Sequence, residues 1–409
     1  KPKPMPSVLP CSGFIHPTVG VAVKPNLKPK PGPLKFWAQT LALKKDKIKI
    51  VVILFIPYVF YICCIMKYNV KRRQIYLIFL FALAFISCKQ NKRPDISNIK
   101  LDIKIERFDK ELSTGKNKNL QQLSSQLSNK YGFFYDDYIH KMVGSPDFTG
   151  DYVISGLFKD PAYIDLTKEV DSVFPNLNTQ ETGLTETFKY IKYYYPKAKV
   201  PKFISFVSGF SYQVPLGDNY IGIGLDMFLG KNSKFYKGII ESVPMYMSRR
   251  FSPENMVTRV AETFAHEELF PEPDANRTLL SKMIFQGKIL YFLDQVLPEN
   301  IADTAKIGYS SNQLDWTQNF ESDIWAYFLE NNLLYETDYH KIQVYLSDGP
   351  FTPGLGENRD SAPKLGVWTG WQIVRKYMAE NPKITLQQLM AENDAQKILN
   401  KSKYKPKRK

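Results

Sequence analysis

Apolar and polar positions change rhythm several times along this chain, and each change marks a segment. The sharpest pattern lies at 66–88, where Lys67, Lys71, Arg72 and Arg73 precede an apolar run at 75–86, followed by the small residue Ser87 and then Cys88. A basic end, a short apolar core and a small residue at the cut are the three parts of a secretory signal peptide. A membrane-crossing helix needs about 20 apolar residues, so the run at 75–86 is too short to remain as an anchor. A cysteine directly after the small residue is the position acylated in bacterial lipoproteins, although Phe85 stands where Leu is usual. The pattern predicts a signal peptide at 66–87 and a lipid on Cys88.

Upstream, residues 1–35 mix Pro and Lys without a hydrophobic period and have no means of burying a core. The stretch 51–65 is apolar but is interrupted by Pro57. Residues 1–65 read as upstream sequence translated in frame ahead of a start at Met66. The alternative is a basic tail followed by a true membrane helix.

Beyond Cys88, polar residues 89–98 predict a tether, so that 88–99 links the lipid to one globular domain at 100–409. Leu101, Ile103 and Ile105 alternate with charged residues as a half-exposed strand does. Helical periodicity follows at 118–143, 162–174 and 184–195, the last stopped by Pro196. A strand is expected at 203–207, then a turn at 216–219 and a strand alternating Ile221, Ile223 and Leu225. Gly222 and Gly224 on its other face predict a close backbone neighbour. Ser252 and Pro253 open a helix whose apolar stripe is Met256, Val257, Val260, Ala261, Phe264 and Ala265. Further helices are expected at 276–296, 311–333 and 363–379, with Gly366 and Gly370 one turn apart in the last. Thr385 and Gln388 form a capping box for a final helix. The fold class is therefore α+β, mostly helical around a small sheet.

Charge changes meaning once these segments are separated. The whole chain carries +15, but residues 1–65 hold ten Lys against one Asp and 66–87 add four cations, leaving +2 for 88–409. No electrostatic case for nucleic acid survives. The remaining basic patch is the tail at 401–409, a solvated end or a contact with anionic envelope polymer. Cys88 is the single cysteine after Met66, so the mature chain has no internal disulfide and depends on its core.

Candidate chemistry is sparse. Three histidines follow Met66: His140, His266 and His340. His266-Glu267-Glu268-Leu269-Phe270 resembles the start of a zincin helix, in which two histidines at i and i+4 grip zinc and the glutamate activates water. Phe270 occupies the second histidine's place and Pro271 ends the helix. Glu262 and His266, at i and i+4, form another possible metal pair; the plainer expectation is a solvated pair on the polar face. Fallback metal candidates are thus Glu262, His266 and Glu267, with no metal, no cofactor and no catalytic residue expected. Asp136-Asp137 and Glu267-Glu268 are sequence neighbours and should point to different faces. The aromatic segments at 131–138 and 190–195, with Trp368 and Trp371, are expected to pack in the core.

The order of landmarks resembles the gliding-motility lipoprotein family GldB of Bacteroidetes-type bacteria. It is carried by Ile105-Glu106-Arg107-Phe108-Asp109, Tyr193-Tyr194-Tyr195-Pro196-Lys197, Val200-Pro201-Lys202, Leu225-Asp226-Met227-Phe228-Leu229-Gly230, Ala305-Lys306-Ile307-Gly308-Tyr309, Leu314 with Trp316, Gly370-Trp371-Gln372-Ile373-Val374-Arg375 and the tail 400–406. The resemblance implies an envelope lipoprotein needed by the gliding apparatus, whose partners are the membrane and other gliding or type IX secretion proteins. A periplasm-facing place on the outer membrane is expected ahead of the inner membrane. The family is also distantly similar to zincin-like peptidases, whose third carboxylate would fall at Gln286-Gly287 here, ahead of Tyr291 and Phe292. An amide there and Phe270 in place of histidine imply a peptidase scaffold that has lost its metal. A zinc-dependent hydrolase and a cell-wall glycan binder remain the alternatives.

Overall fold

Three short parallel strands and one antiparallel edge form the sheet around which the helices assemble. A computed structural model describes residues 93–239, 244–275, 277–356 and 360–407. Residues 1–65, the signal segment and Cys88 lie outside the described residues. The segment 93–409 forms one compact unit.

The strands are β1 (Ile105–Arg107), β2 (Lys202–Phe206), β3 (Leu216–Gly217) and β4 (Tyr220–Gly224), in the order β1-β2-β4-β3. β1, β2 and β4 run parallel, while β3 pairs antiparallel with β4 through a turn in which Asn219 adopts a left-handed φ of 65°. Successive strand side chains face opposite ways, and here both faces are covered. Phe203, Ile221 and Ile223 enter the main core, whereas Ile204, Phe206 and Tyr220 meet Phe108, Phe134 and Tyr138 in a smaller aromatic core. That two-sided cover explains why every residue of β4 is buried. The close neighbour expected beside the glycines is present: a Cβ on Gly224 would lie 2.1 Å from the Tyr212 carbonyl oxygen. The outer edge of the sheet is also occupied. Glu181 accepts from the Ile105 N–H at 3.0 Å and Thr185 from the Ile103 N–H at 2.9 Å, which blunts edge pairing.

The main helices are α1 (Leu120–Tyr131), α2 (Gly150–Lys159), α3 (Pro161–Val173), α4 (Asn178–Tyr194), α5 (Met256–Phe264), α6 (Leu279–Val296), α7 (Ser311–Asn319), α8 (Glu321–Glu330), α9 (Leu365–Glu380), α10 (Leu386–Ala391) and α11 (Ala395–Ser402). The helical run expected at 118–143 breaks at Gly132, whose φ of 52° lies in the left-handed region. The helix expected at 311–333 is two helices that meet at Phe320. The capping box at Thr385 and Gln388 is present on α10.

α6 and α9 form the centre of the helical layer. Both are buried along most of their length. They approach backbone to backbone, because a Cβ on Gly287 of α6 would lie 2.4 Å from the Gly370 carbonyl of α9. Around this contact sit Trp368, Trp371 and Phe292, essentially without exposure. Burying each side chain of that size stabilises the fold by about 2–3 kcal/mol.

From Arg93 onward, the stretch expected as tether at 88–99 is packed against the globular unit. Arg93 donates through Nη2 to the carbonyls of Asp294 (3.0 Å) and Leu297 (2.6 Å) and stacks 4.6 Å from the Tyr190 ring centre. Ile96 and Leu101 also pack against the core. The polar composition of 89–98 hid this attachment, which uses one guanidinium and two helix-end carbonyls.

Candidate functional site

The helix singled out by the sequence has three parts. A 3-10 turn, Pro253–Asn255, leads into α5, which passes into a π turn at Ala265–Leu269. The Ser252 side chain does not cap the turn; its hydroxyl accepts instead from Asn255 Nδ2 at 3.0 Å. Met256, Val257, Val260, Ala261, Phe264 and Ala265 are buried as the stripe requires. The π turn closes with the Phe270 N–H donating to the Ala265 carbonyl at 2.9 Å, and Pro271, lacking an N–H, prevents a further turn.

Glu262 departs from the solvated pair expected of it. Its Oε2 accepts from Arg250 Nη2 at 2.5 Å and Arg259 Nη1 at 2.6 Å, and its side chain is 19% exposed. Burial pushes its pKa up, but the guanidiniums of Arg250 and Arg259 prevail and hold the carboxyl far below the usual range. Arg250 is itself buried. His266 is half-buried rather than fully solvated, with its ring centre 5.8 Å from that of Phe285; burial lowers its pKa, opposed by Glu262, Glu267 and Glu272. Glu267 and Glu268 are exposed. The three fallback residues therefore occupy three settings: an arginine clamp, an aromatic wall and open solvent. Among the described residues, no group of three or more His, Cys, Asp or Glu side chains is placed to hold a metal ion.

Phe270, which stands where a zincin motif has its second histidine, has a packing role. Phe270 lies edge-on to Tyr195 and Phe292, with ring centres 5.3 and 5.2 Å away. Gly287, beside Gln286, supplies the contact with α9. The paired acids diverge as expected: Asp137 accepts from the Tyr220 hydroxyl at 2.6 Å, while Asp136 is exposed. Of the aromatic segments, Trp368, Trp371, Phe134 and Tyr138 are buried, whereas Phe133 and Tyr193 face solvent.

Several charged groups escaped the sequence reading because their partners are remote. Asp294 accepts a hydrogen bond from Trp371 Nε1 (3.0 Å) and pairs with Arg375 and Lys306, and Asp303 pairs with the same two cations. Arg375 lies 3.7 Å above the Trp371 ring. Asp226, fully buried after β4, accepts from the backbone N–H groups of Phe210 (2.6 Å) and Ser208 (3.2 Å). Burial raises its pKa to about 6 against those hydrogen bonds. All three aspartates fall within or contact segments carrying the family resemblance, 225–230 and 370–375.

An open cleft of about 670 Å³ adjoins the exposed end of the π turn and is lined in part by Lys130, Phe133, Lys199, Lys202, Asn219 and Glu268. Its lysines, amide and exposed ring can contact a polar polymer or a protein loop.

The family model described as gliding motility protein GldB matches residues 89–406. No curated protein and no solved structure matches the chain. A single match running from just after Cys88 to the basic tail spans every element described above, and the chain belongs to the gliding motility protein GldB family.

Proposed function

We propose that this protein is a lipid-anchored, non-catalytic envelope component of the gliding machinery, attached through Cys88 and acting by contact with other proteins of that machinery. The observation that carries the reading is the continuous family match over 89–406. The signal layout ahead of Cys88 supports the anchor, and several acyl chains on one cysteine would make attachment stable. A periplasm-facing position on the outer membrane fits that layout.

The non-catalytic part rests on what the candidate side chains already do. Glu262 would have to leave two guanidiniums to ligate a metal, exposing a buried Arg250 to an unpaired state that costs several kcal/mol. Phe270 fills an aromatic cluster where a second ligand would be required. The competing reading, a zinc-dependent hydrolase using Glu262, His266 and Glu267, has to break both arrangements.

Deleting the gene tests the motility role. Colony spreading should stop and return when the gene starting at Met66 is supplied. A deletion strain that spreads normally would overturn the assignment.

A further inference from the structure

Two buried charge clusters lie on either side of Lys306, and they differ in balance. On one side, Lys306 and Arg375 pair with Asp294 and Asp303, cation for anion. On the other, Arg249, Arg250, Arg259 and Lys364 gather around Glu262 and Asp348. Among the described residues this second cluster has more cations than carboxylates. Its second carboxylate, Asp348, is 47% exposed, so water screens much of its charge.

The excess is costly in this setting. Arg250 is 8% exposed and Lys364 is 7% exposed. Burial lowers the pKa of both, which is the mark of cations held where water solvates them poorly. Lys364 is in addition held in the left-handed backbone region at φ 40°, immediately before α9. Arg250 and Lys364 each keep a carboxylate partner, but Glu262 is shared between Arg250 and Arg259, so an additional anion would relieve the surplus.

The surplus opens onto a cavity. A recess of about 140 Å³ is lined by Arg249, Arg250, Asn255, Thr304, Gly308 and Tyr309. That is several times the roughly 30 Å³ share of one water and is room for one phosphate- or carboxylate-sized group. Arg250 Nε is buried with no hydrogen-bond partner, although Nη2 of the same guanidinium holds Glu262. Gly308, with φ of 82°, keeps the wall thin there: a Cβ would lie 2.8 Å from Arg250 Cδ and 3.3 Å from Nε. Arg249, half-buried on the same wall, reaches Gln313 and the Gly308 carbonyl and so stays at the mouth of the recess.

We infer that this recess is a binding site for a small oxyanion, phosphate or a phosphate-bearing or carboxylate-bearing group, held by the guanidiniums of Arg249 and Arg250. The free Nε–H supplies a donor that the fold leaves unused, and the anion supplies the charge the cluster lacks. Planar guanidinium forks suit oxyanions of this size. The site is separate from His266 and does not depend on the anchoring role.

The test is thermal unfolding of the full chain, purified in detergent, in phosphate, acetate or chloride at equal ionic strength. The midpoint should rise saturably in phosphate by roughly 2–4 °C over chloride. An equal rise in acetate would extend the ligand to carboxylates, and a rise in phosphate alone would confine it to tetrahedral oxyanions; both support the site. Arg249→Gln, at the half-exposed mouth, should keep its fold and lose the phosphate response. Ala305→Glu, which places a tethered carboxylate on the same wall, should raise the midpoint in chloride and abolish the response. Equal midpoints in phosphate and chloride, or an undiminished response in Arg249→Gln, would overturn the proposal.

Discussion

Gly287 and Gly370 meet across the two central helices so closely that neither position has room for a methyl group. A Cβ on Gly370 would lie 1.9 Å from the Met283 carbonyl oxygen, and one on Gly287 would lie 2.4 Å from Gly370. In both cases the obstacle is backbone, which moves only if the helices part. Gly370→Ala should therefore cost about 3 kcal/mol or more, at the upper end of overpacking penalties. Denaturant unfolding of the purified protein reads this directly. A loss below about 1 kcal/mol would show that the helix contact is softer than described.

The Glu262 clamp makes a prediction that depends on pH. Its folded carboxyl is held far below the ordinary value of 4.5 by Arg250 and Arg259. A depressed carboxylate contributes stability that is present above its unfolded pKa and is lost as pH falls through the folded one. Glu262→Gln should cost on the order of 3 kcal/mol at pH 7, because Arg250 stays buried without its counter-charge. Below pH 4.5 the difference between parent and variant should shrink. Unfolding free energies at pH 7 and pH 3 check this, and a pH-independent difference would contradict it.

Asp226 should behave in the opposite sense. Its folded pKa is raised to about 6 from 3.8 by burial. The stabilising term is fully present below the unfolded value and is lost as pH rises through about 6. Asp226→Asn keeps an acceptor for the Ser208 and Phe210 N–H groups while removing the charge. The variant should gain roughly 1–3 kcal/mol relative to the parent on going from pH 4 to pH 8. A parent and variant with parallel stability profiles would remove this account of Asp226.

Anchoring is tested outside the globular unit. Cys88→Ser should move the protein from the membrane fraction to the soluble fraction after cell lysis. Unchanged membrane association would count against lipid attachment at that position.

Local signals carried most of the fold. The alternation of Ile221 and Ile223, the Thr385–Gln388 capping box and the spacing of Gly366 and Gly370 each state their role within a few residues, and each does what its pattern implies. What the sequence hid was decided at long range. Glu262 sits on the polar side of its own helix, and nothing within that helix announces that Arg250, twelve positions earlier, closes over it. Arg93 looks like tether because the carbonyls that pin it belong to 294 and 297. The break at Phe320 carries neither Gly nor Pro, so periodicity alone ran α7 and α8 together.

We propose that this chain serves gliding as a scaffold and not as a hydrolase. The most direct test is colony spreading of a deletion strain supplied with either the Met66-start gene or its His266→Ala/Glu267→Ala form, with immunoblots showing equal amounts. Both forms should restore spreading to the same extent. Restoration by the unaltered gene alone would make the α5 π turn a working site and contradict the account.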